Sequence, residues 1–192
     1  MATALNSELA PIWPLSVDRY HAMIDAGILG PDDRVELLEG VIVEKMSKNP
    51  PHRISNRRTR LALERAIGSA WYVDGQEPIT LATSEPEPDV SVIRGDTTDY
   101  TDSHPGAENV GMVVEIADSS LERDRVLKKR IYAAAGIPVY WIVDLNAPRV
   151  EVLSRPQNGQ YTEGAVYRPG DSIPVVLDGQ TLGTVPVNDI LP

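Results

Sequence analysis

Neither cysteine nor phenylalanine occurs among the 192 residues of the chain. The first absence removes disulfides and any disulfide-linked partner. It also removes thiolate zinc sites, iron–sulfur clusters and cysteine nucleophiles. The second leaves a core of mostly aliphatic side chains, with three tryptophans and seven tyrosines as the aromatics. Histidine is scarce as well. His21, His52 and His104 are too scattered to suggest a three-histidine metal centre. No apolar run approaches the ~18 residues that a membrane span needs. Met1 to Pro14 lacks the basic start and apolar stretch of a secretory leader. The expectation is a soluble, cytoplasmic protein with no membrane partner.

Positive charge is in deficit too. The formal net charge is −10 and the isoelectric point is near 4.7, which argues against nonspecific coating of nucleic acid. The basic residues are nevertheless clustered. Residues 48–65 hold Lys48, Arg53, Arg57, Arg58, Arg60 and Arg65 against Glu64 alone. Residues 121–130 hold Arg123, Arg125, Lys128, Lys129 and Arg130 against Glu122 and Asp124. These stretches are either two solvated helix faces or a basic strip on an acidic protein.

The length suits one domain. Residues 1–14 read as a flexible N-terminal arm and 15–192 as a single domain, with a core over about 52–145 and a β-hairpin region over 149–192. Ser16 caps a helix ending near Gly27, and Arg34 to Met46 reads as a hairpin turning at Glu39-Gly40. A helix is expected from about His52 to Ala70. Trp71 to Val73, Ile79 to Ala82 and Val90 to Ile93 are strand candidates, and residues 94–109 form a long loop. The apolar run 111–116, a helix from Ser119 or Ser120 to about Ala135, and the run Val139 to Val143 make a βαβ unit. Its strands should be parallel and adjacent. The tail repeats hairpin patterns around Asn158-Gly159 and Pro169-Gly170.

Two acids stand at strand ends. Asp89 follows Pro88 and opens one strand; Glu115 interrupts the apolar run of the next. Carboxylates at matching points of neighbouring strands repel unless a positive charge lies between them. A hard divalent cation satisfies that need with oxygen ligands. Lys128, on the helix that follows, can bring an ammonium to the same place. Two carboxylates, a metal and a lysine suit phosphodiester cleavage. Each residue has a plainer alternative. Asp89 can be a strand-entry residue, and Lys128 can pair with Asp124 one helical turn away.

Pro88-Asp89, Glu115 and Lys128 together resemble the restriction-endonuclease-like superfamily, whose pattern is P-D … (D/E)-x-K. Val35 to Gly40, Glu87 to Val90, and Val114 through Lys128 to Asp144 resemble a bacterial restriction-endonuclease group within it. The resemblance covers roughly residues 16–180. It implies an α/β fold, a mixed central sheet flanked by helices, with β-hairpins added at both ends. It further implies a metal-dependent endonuclease acting on DNA with Mg²⁺ or Mn²⁺, held by Asp89, Glu115 and Glu36, and often a homodimer. The superfamily's lysine lies two residues after the second acid, where this chain has Ala117. Lys128 is its natural substitute and Lys129 the adjacent alternative.

Glu36 has a second possibility, an outward position on an alternating hairpin. His52 either caps its helix or contacts phosphate or water. Glu44 shares the pattern of Glu36 more weakly. His21 and His104 read as surface residues, and Asp144 and Tyr132 as turn and packing residues. A nuclease fold that binds nucleic acid or protein without cutting is the alternative function.

Overall fold

The computed structural model describes residues 11–192. Most of the expected arm lies outside the described residues, and 11–16 form neither helix nor strand.

The most apolar stretches occupy the middle of a six-stranded sheet. Its strands pair in the order β3 (Trp71–Asp74), β4 (Val90–Arg94), β5 (Val110–Ala117), β6 (Val139–Asp144), β7 (Arg149–Gln157) and β8 (Gln160–Tyr167). Only β5 and β6 run parallel; the other pairs are antiparallel. Both are buried along their whole length, as continuous apolar strands are when covered on two faces. The mixed sheet flanked by helices matches the expected α/β class. The sheet runs on through β8, so part of the C-terminal hairpin region belongs to it.

Alternation divides the side chains of β5 between two cores. Met112, Val114 and Ile116 join Leu63 of α2 (Pro50–Ala66) with Trp141, Ile173 and Val185. Val113 and Ala117 face a second core containing Tyr132, Ile137 and Tyr140. Glu115 shares the parity of Val113 and Ala117, so the strand delivers its carboxylate to the second face.

α2 begins earlier than expected. Asn49 caps it, accepting from the His52 amide at 3.0 Å. Pro50 and Pro51 then fill the first turn, where a missing N–H costs nothing. The crossover between β5 and β6 is not one regular helix. α3 (Leu121–Arg123) leads into a π-helical turn over Asp124–Lys128, then α4 (Lys129–Ala134).

Ile79 to Ala82 does not form a strand. Thr80 makes only an isolated bridge to Gly106, because the neighbouring amides are spent locally. Ile79 N donates to Pro86 O and Leu81 N to Ser84 O. Ile79 and Leu81 are buried regardless. Within 94–109, Thr97–Tyr100 and Ala107–Asn109 form 3₁₀ turns.

Hairpins lie at both ends. Near the N-terminus, α1 (Val17–Asp25) packs on β1 (Val35–Leu38), which pairs with β2 (Val41–Glu44). Leu37 meets Val17 and Tyr20, while Leu38 enters the second core. Near the C-terminus, β9 (Ser172–Leu177) pairs with β10 (Gln180–Pro186), followed by α5 (Val187–Ile190). This hairpin covers the first core against α2. A Cβ at Gly183 would stand 2.6 Å from the Ala66 carbonyl oxygen, so glycine permits the approach. No described helix is long and apolar enough to cross a membrane.

Candidate active site

The β4–β5 register sets Val90 opposite Val114, so Asp89 stands opposite Glu115. One oxygen of each acid is tied to the protein. Asp89 Oδ2 accepts from the Ile116 amide at 2.9 Å and from His52 Nε2 at 3.0 Å. The Asp89 carbonyl accepts from Asn56 Nδ2 at 2.8 Å. Glu115 Oε1 accepts from Lys128 Nζ at 2.8 Å and Tyr132 OH at 2.7 Å. Asp89 Oδ1 and Glu115 Oε2 accept no hydrogen bond among the described residues. Lys48 Nζ lies 3.6 Å from Asp89 Oδ1.

His52 is buried near the start of α2 and lines the same cleft. Its amide is capped by Asn49 while its ring reaches Asp89, so capping and contact both occur, on different atoms. Its Nε2 carries the proton given to the carboxylate, and its buried Nδ1 has no partner.

Glu36 is also buried, only 2% exposed, which excludes an outward position. Its Oε2 lies 3.3 Å from Lys128 Nζ and accepts from the Glu87 amide. Lys128 thus stands between Glu36 and Glu115. Asp89, Glu115, Glu36, His52 and Lys128 all line one cleft of about 50 Å³. As placed, no three His, Asp or Glu side chains among the described residues are grouped to hold a metal ion. Each acid of the cleft keeps one oxygen without a hydrogen bond among the described residues, and those of Asp89 and Glu115 belong to the facing strand-end pair. Two hard carboxylate donors suit Mg²⁺, which commonly takes one or two carboxylates and keeps its remaining positions for water and phosphate.

Asp124 also belongs to the cleft, 2% exposed and held by Ser120 Oγ at 2.6 Å. Sequence reasoning treated it only as a surface partner for Lys128. Its signal was an acid one turn before the candidate lysine, on the same helix face.

The electrostatics follow from four acids around one ammonium. Burial favours the neutral form of Asp89, but the hydrogen bonds from His52 and Ile116, with the charge of Lys48, hold its carboxyl below the usual value. Burial pushes Glu115 up; Lys128 opposes this, while Asp124, Asp89 and Glu36 add to the rise. Burial likewise raises Asp124, against Lys128 and Ser120. Burial works against the charge of Lys128, yet Glu115, Glu36 and Asp124 raise its pKa well above the usual value. The cluster titrates as a set rather than residue by residue.

Other candidates lie elsewhere. Glu44 is exposed, and Lys129 does not line the cleft. His21 Nε2 contacts Glu85 at 2.7 Å, and His104 is 4.0 Å from the same acid. Tyr132 is more than a packing residue, through its bond to Glu115. Asp144 accepts from the Asn146 and Ala147 amides and pairs with Arg125 and Arg149. Of the two alternatives for the basic stretches, a strip shared by both helices does not form. In the second stretch Arg125 pairs with Glu151, Lys128 with the buried acids and Arg130 with Glu39, while Arg123 donates to Glu44 O.

No curated protein matches the chain. A solved structure described as a putative nuclease belonging to DUF820, from Anabaena variabilis ATCC 29413, is similar in fold. It aligns with a TM-score of 0.68 at 18% identity, over 92% of this chain and 97% of that one. The family model Uma2, described as "Putative restriction endonuclease", matches residues 17–185. With the strand-end acids and the lysine crossover in place, the chain belongs to the Uma2 family of the restriction-endonuclease-like superfamily.

Proposed function

We propose that the protein is a metal-dependent endonuclease that hydrolyses phosphodiester bonds in DNA. The observation that carries this reading is the opposed pair Asp89 and Glu115, each with one oxygen tied down and one left free of hydrogen bonds. These residues would hold Mg²⁺ or Mn²⁺, with Glu36 as a further acid beside them. A bound cation of this kind polarises the phosphate and lowers the pKa of water. His52 keeps the Asp89 carboxylate ionised and aimed. Tyr132 fixes the Glu115 oxygen that it shares with Lys128. The Lys128 ammonium, steadied by Glu36, opposes negative charge growing on the phosphate and can orient the attacking water. A homodimer would supply two such sites, one for each strand of a duplex.

The test is cleavage of plasmid and linear DNA with millimolar Mg²⁺ or Mn²⁺. The wild type should cut and Asp89→Ala should not. Equal cutting by both would end the proposal.

A second reading, binding of nucleic acid or protein without cutting, draws on two observations. Lys128 already satisfies Glu36 and Glu115, and Ala117 stands at the usual lysine position. A folded protein that binds DNA but cuts none under any divalent cation would favour it.

A further inference from the structure

The arginines of α2 have no task in the cleft chemistry. None of Arg53, Arg57 and Arg60 forms a salt bridge among the described residues, whereas most cations of the crossover are paired. Spacings of four and three residues put the three on one stripe of the helix. With Asn56, Gly75 and Gln76 they line a hollow of about 420 Å³, and Glu64 is its one acid. Arg60 is partly buried across Gly75, where a Cβ would meet its Cδ at 2.8 Å. Its Nε is buried and has no hydrogen-bond partner. A solvated helix face keeps its donors in water; this one encloses a donor and leaves it unmet. Grouped like charges in a chain of net charge −10 call for an anion from outside.

The hollow neighbours the cleft along α2. Asn49 and His52 line the cleft, Arg53 follows on the same helix, and Asn56 lines the hollow while donating to the Asp89 carbonyl. The stripe from Arg53 to Arg60 covers about 10 Å of helix axis at ~1.5 Å per residue. One strand of a duplex presents a phosphate every ~3.4 Å of duplex axis, so a stripe of this length laid along that axis meets about three of them.

We propose that the Arg53–Arg57–Arg60 hollow is a subsite for the phosphates of the DNA strand flanking the scissile bond. It rests on the nuclease reading for its place beside a scissile bond, but its binding can be measured separately. Guanidiniums fit phosphate through paired N–H donors and remain charged at any working pH. The crossover helix contributes nothing comparable, so contact is one-sided, along α2.

The experiment compares wild type, the triple variant Arg53→Ala/Arg57→Ala/Arg60→Ala, and a charge-matched triple variant at exposed sites, Arg19→Ala/Arg65→Ala/Arg168→Ala. Binding to a DNA duplex is measured against salt in an Asp89→Asn background. Hydrolysis of the duplex and of bis(p-nitrophenyl) phosphate is measured with Asp89 intact. The stripe variant should lose ~2.7 from the slope of log K against log salt, about 0.9 per phosphate contact. Its duplex cleavage should fall by at least tenfold while hydrolysis of the small diester stays within twofold. The exposed-site variant should leave slope and cleavage unchanged. An unchanged slope in the stripe variant, an equal loss in the exposed-site variant, or no duplex binding by wild type would overturn the subsite. Absence of hydrolysis of either substrate by wild type removes the nuclease reading alone, and the binding slope still decides the subsite.

Discussion

Tyr132 and Lys128 donate to the same oxygen of Glu115, at 2.7 and 2.8 Å. Both come from the crossover that follows β5, so the chain that places the acid also supplies its donors a few turns later. Asp89 is served from the opposite direction, by His52 of α2 and by the backbone of β5. Two helices packed on different faces of the sheet thus converge where β4 begins and β5 ends.

A cation at the open oxygens should stabilise the fold by mass action. Saturation at a hundredfold over Kd is worth ~2.7 kcal/mol, a Tm rise on the order of 5–10 °C at this chain length. Thermal melts with Mg²⁺ and Mn²⁺ should show it in wild type and not in Asp89→Asn or Glu115→Gln. A rise that persists in both variants would place the metal elsewhere.

Removing the shared ammonium should be costly. Lys128→Met leaves Glu36 and Glu115 buried without a counter-charge, a loss of about 3–5 kcal/mol. Adding Glu36→Gln removes one of those acids and should restore ~1–3 kcal/mol through their coupling. Urea unfolding of wild type, both single variants and the double variant measures this directly. Simple additivity would show that the acids do not share the lysine.

Tyr132→Phe preserves the ring, which meets Tyr140 edge-on with centroids 5.0 Å apart. It deletes only the hydroxyl on Glu115, worth about 1.5–3 kcal/mol for a bond to a charged group. The loss should be clear in urea and smaller than that of Lys128→Met. A change under ~0.5 kcal/mol would mean that water replaces the hydroxyl.

Acid should expose the bonds around Asp89. Its carboxyl is held below the ordinary 3.8 in the folded chain, so the unfolded chain takes up the proton first. The resulting stability is present above pH ~3.8 and disappears as pH falls through the lower folded value. Urea melts from pH ~5 down to ~2 should show a shallower acid loss in Asp89→Asn than in wild type. Parallel curves would remove Asp89 from the acid response.

The βαβ unit was legible because its strands are continuous apolar runs and its helix is marked by serine before and Gly136 after. Glu115 drew notice for a related reason, since a lone carboxylate in such a run needs a partner, and Asp89 because it opens the neighbouring strand. Tertiary features were hidden. Asp124 looked like half of a surface pair, because burial of a polar helix face depends on which strand it crosses. Pro50 and Pro51 read as a break although they begin α2. Strand β10 shifts register between Thr181 and Gly183 and lacks a strong apolar pattern, so its pairing with β9 left little trace in the sequence. The basic charge of 121–130 looked free because its acids, Glu39 and Glu151, lie far away in sequence.

The π-helical turn over Asp124–Lys128 has a consequence for tolerance of length change. Val126, 53% exposed at its midpoint, packs on little, so its removal costs the core almost nothing. Such a deletion removes the one residue by which a π turn exceeds an α turn, so the segment would relax to a regular helix with Lys128 and Tyr132 still facing Glu115. The same deletion in the regular helix α4 would turn everything after it by about 100°. The crossover therefore tolerates the loss of one residue at its π turn and nowhere else.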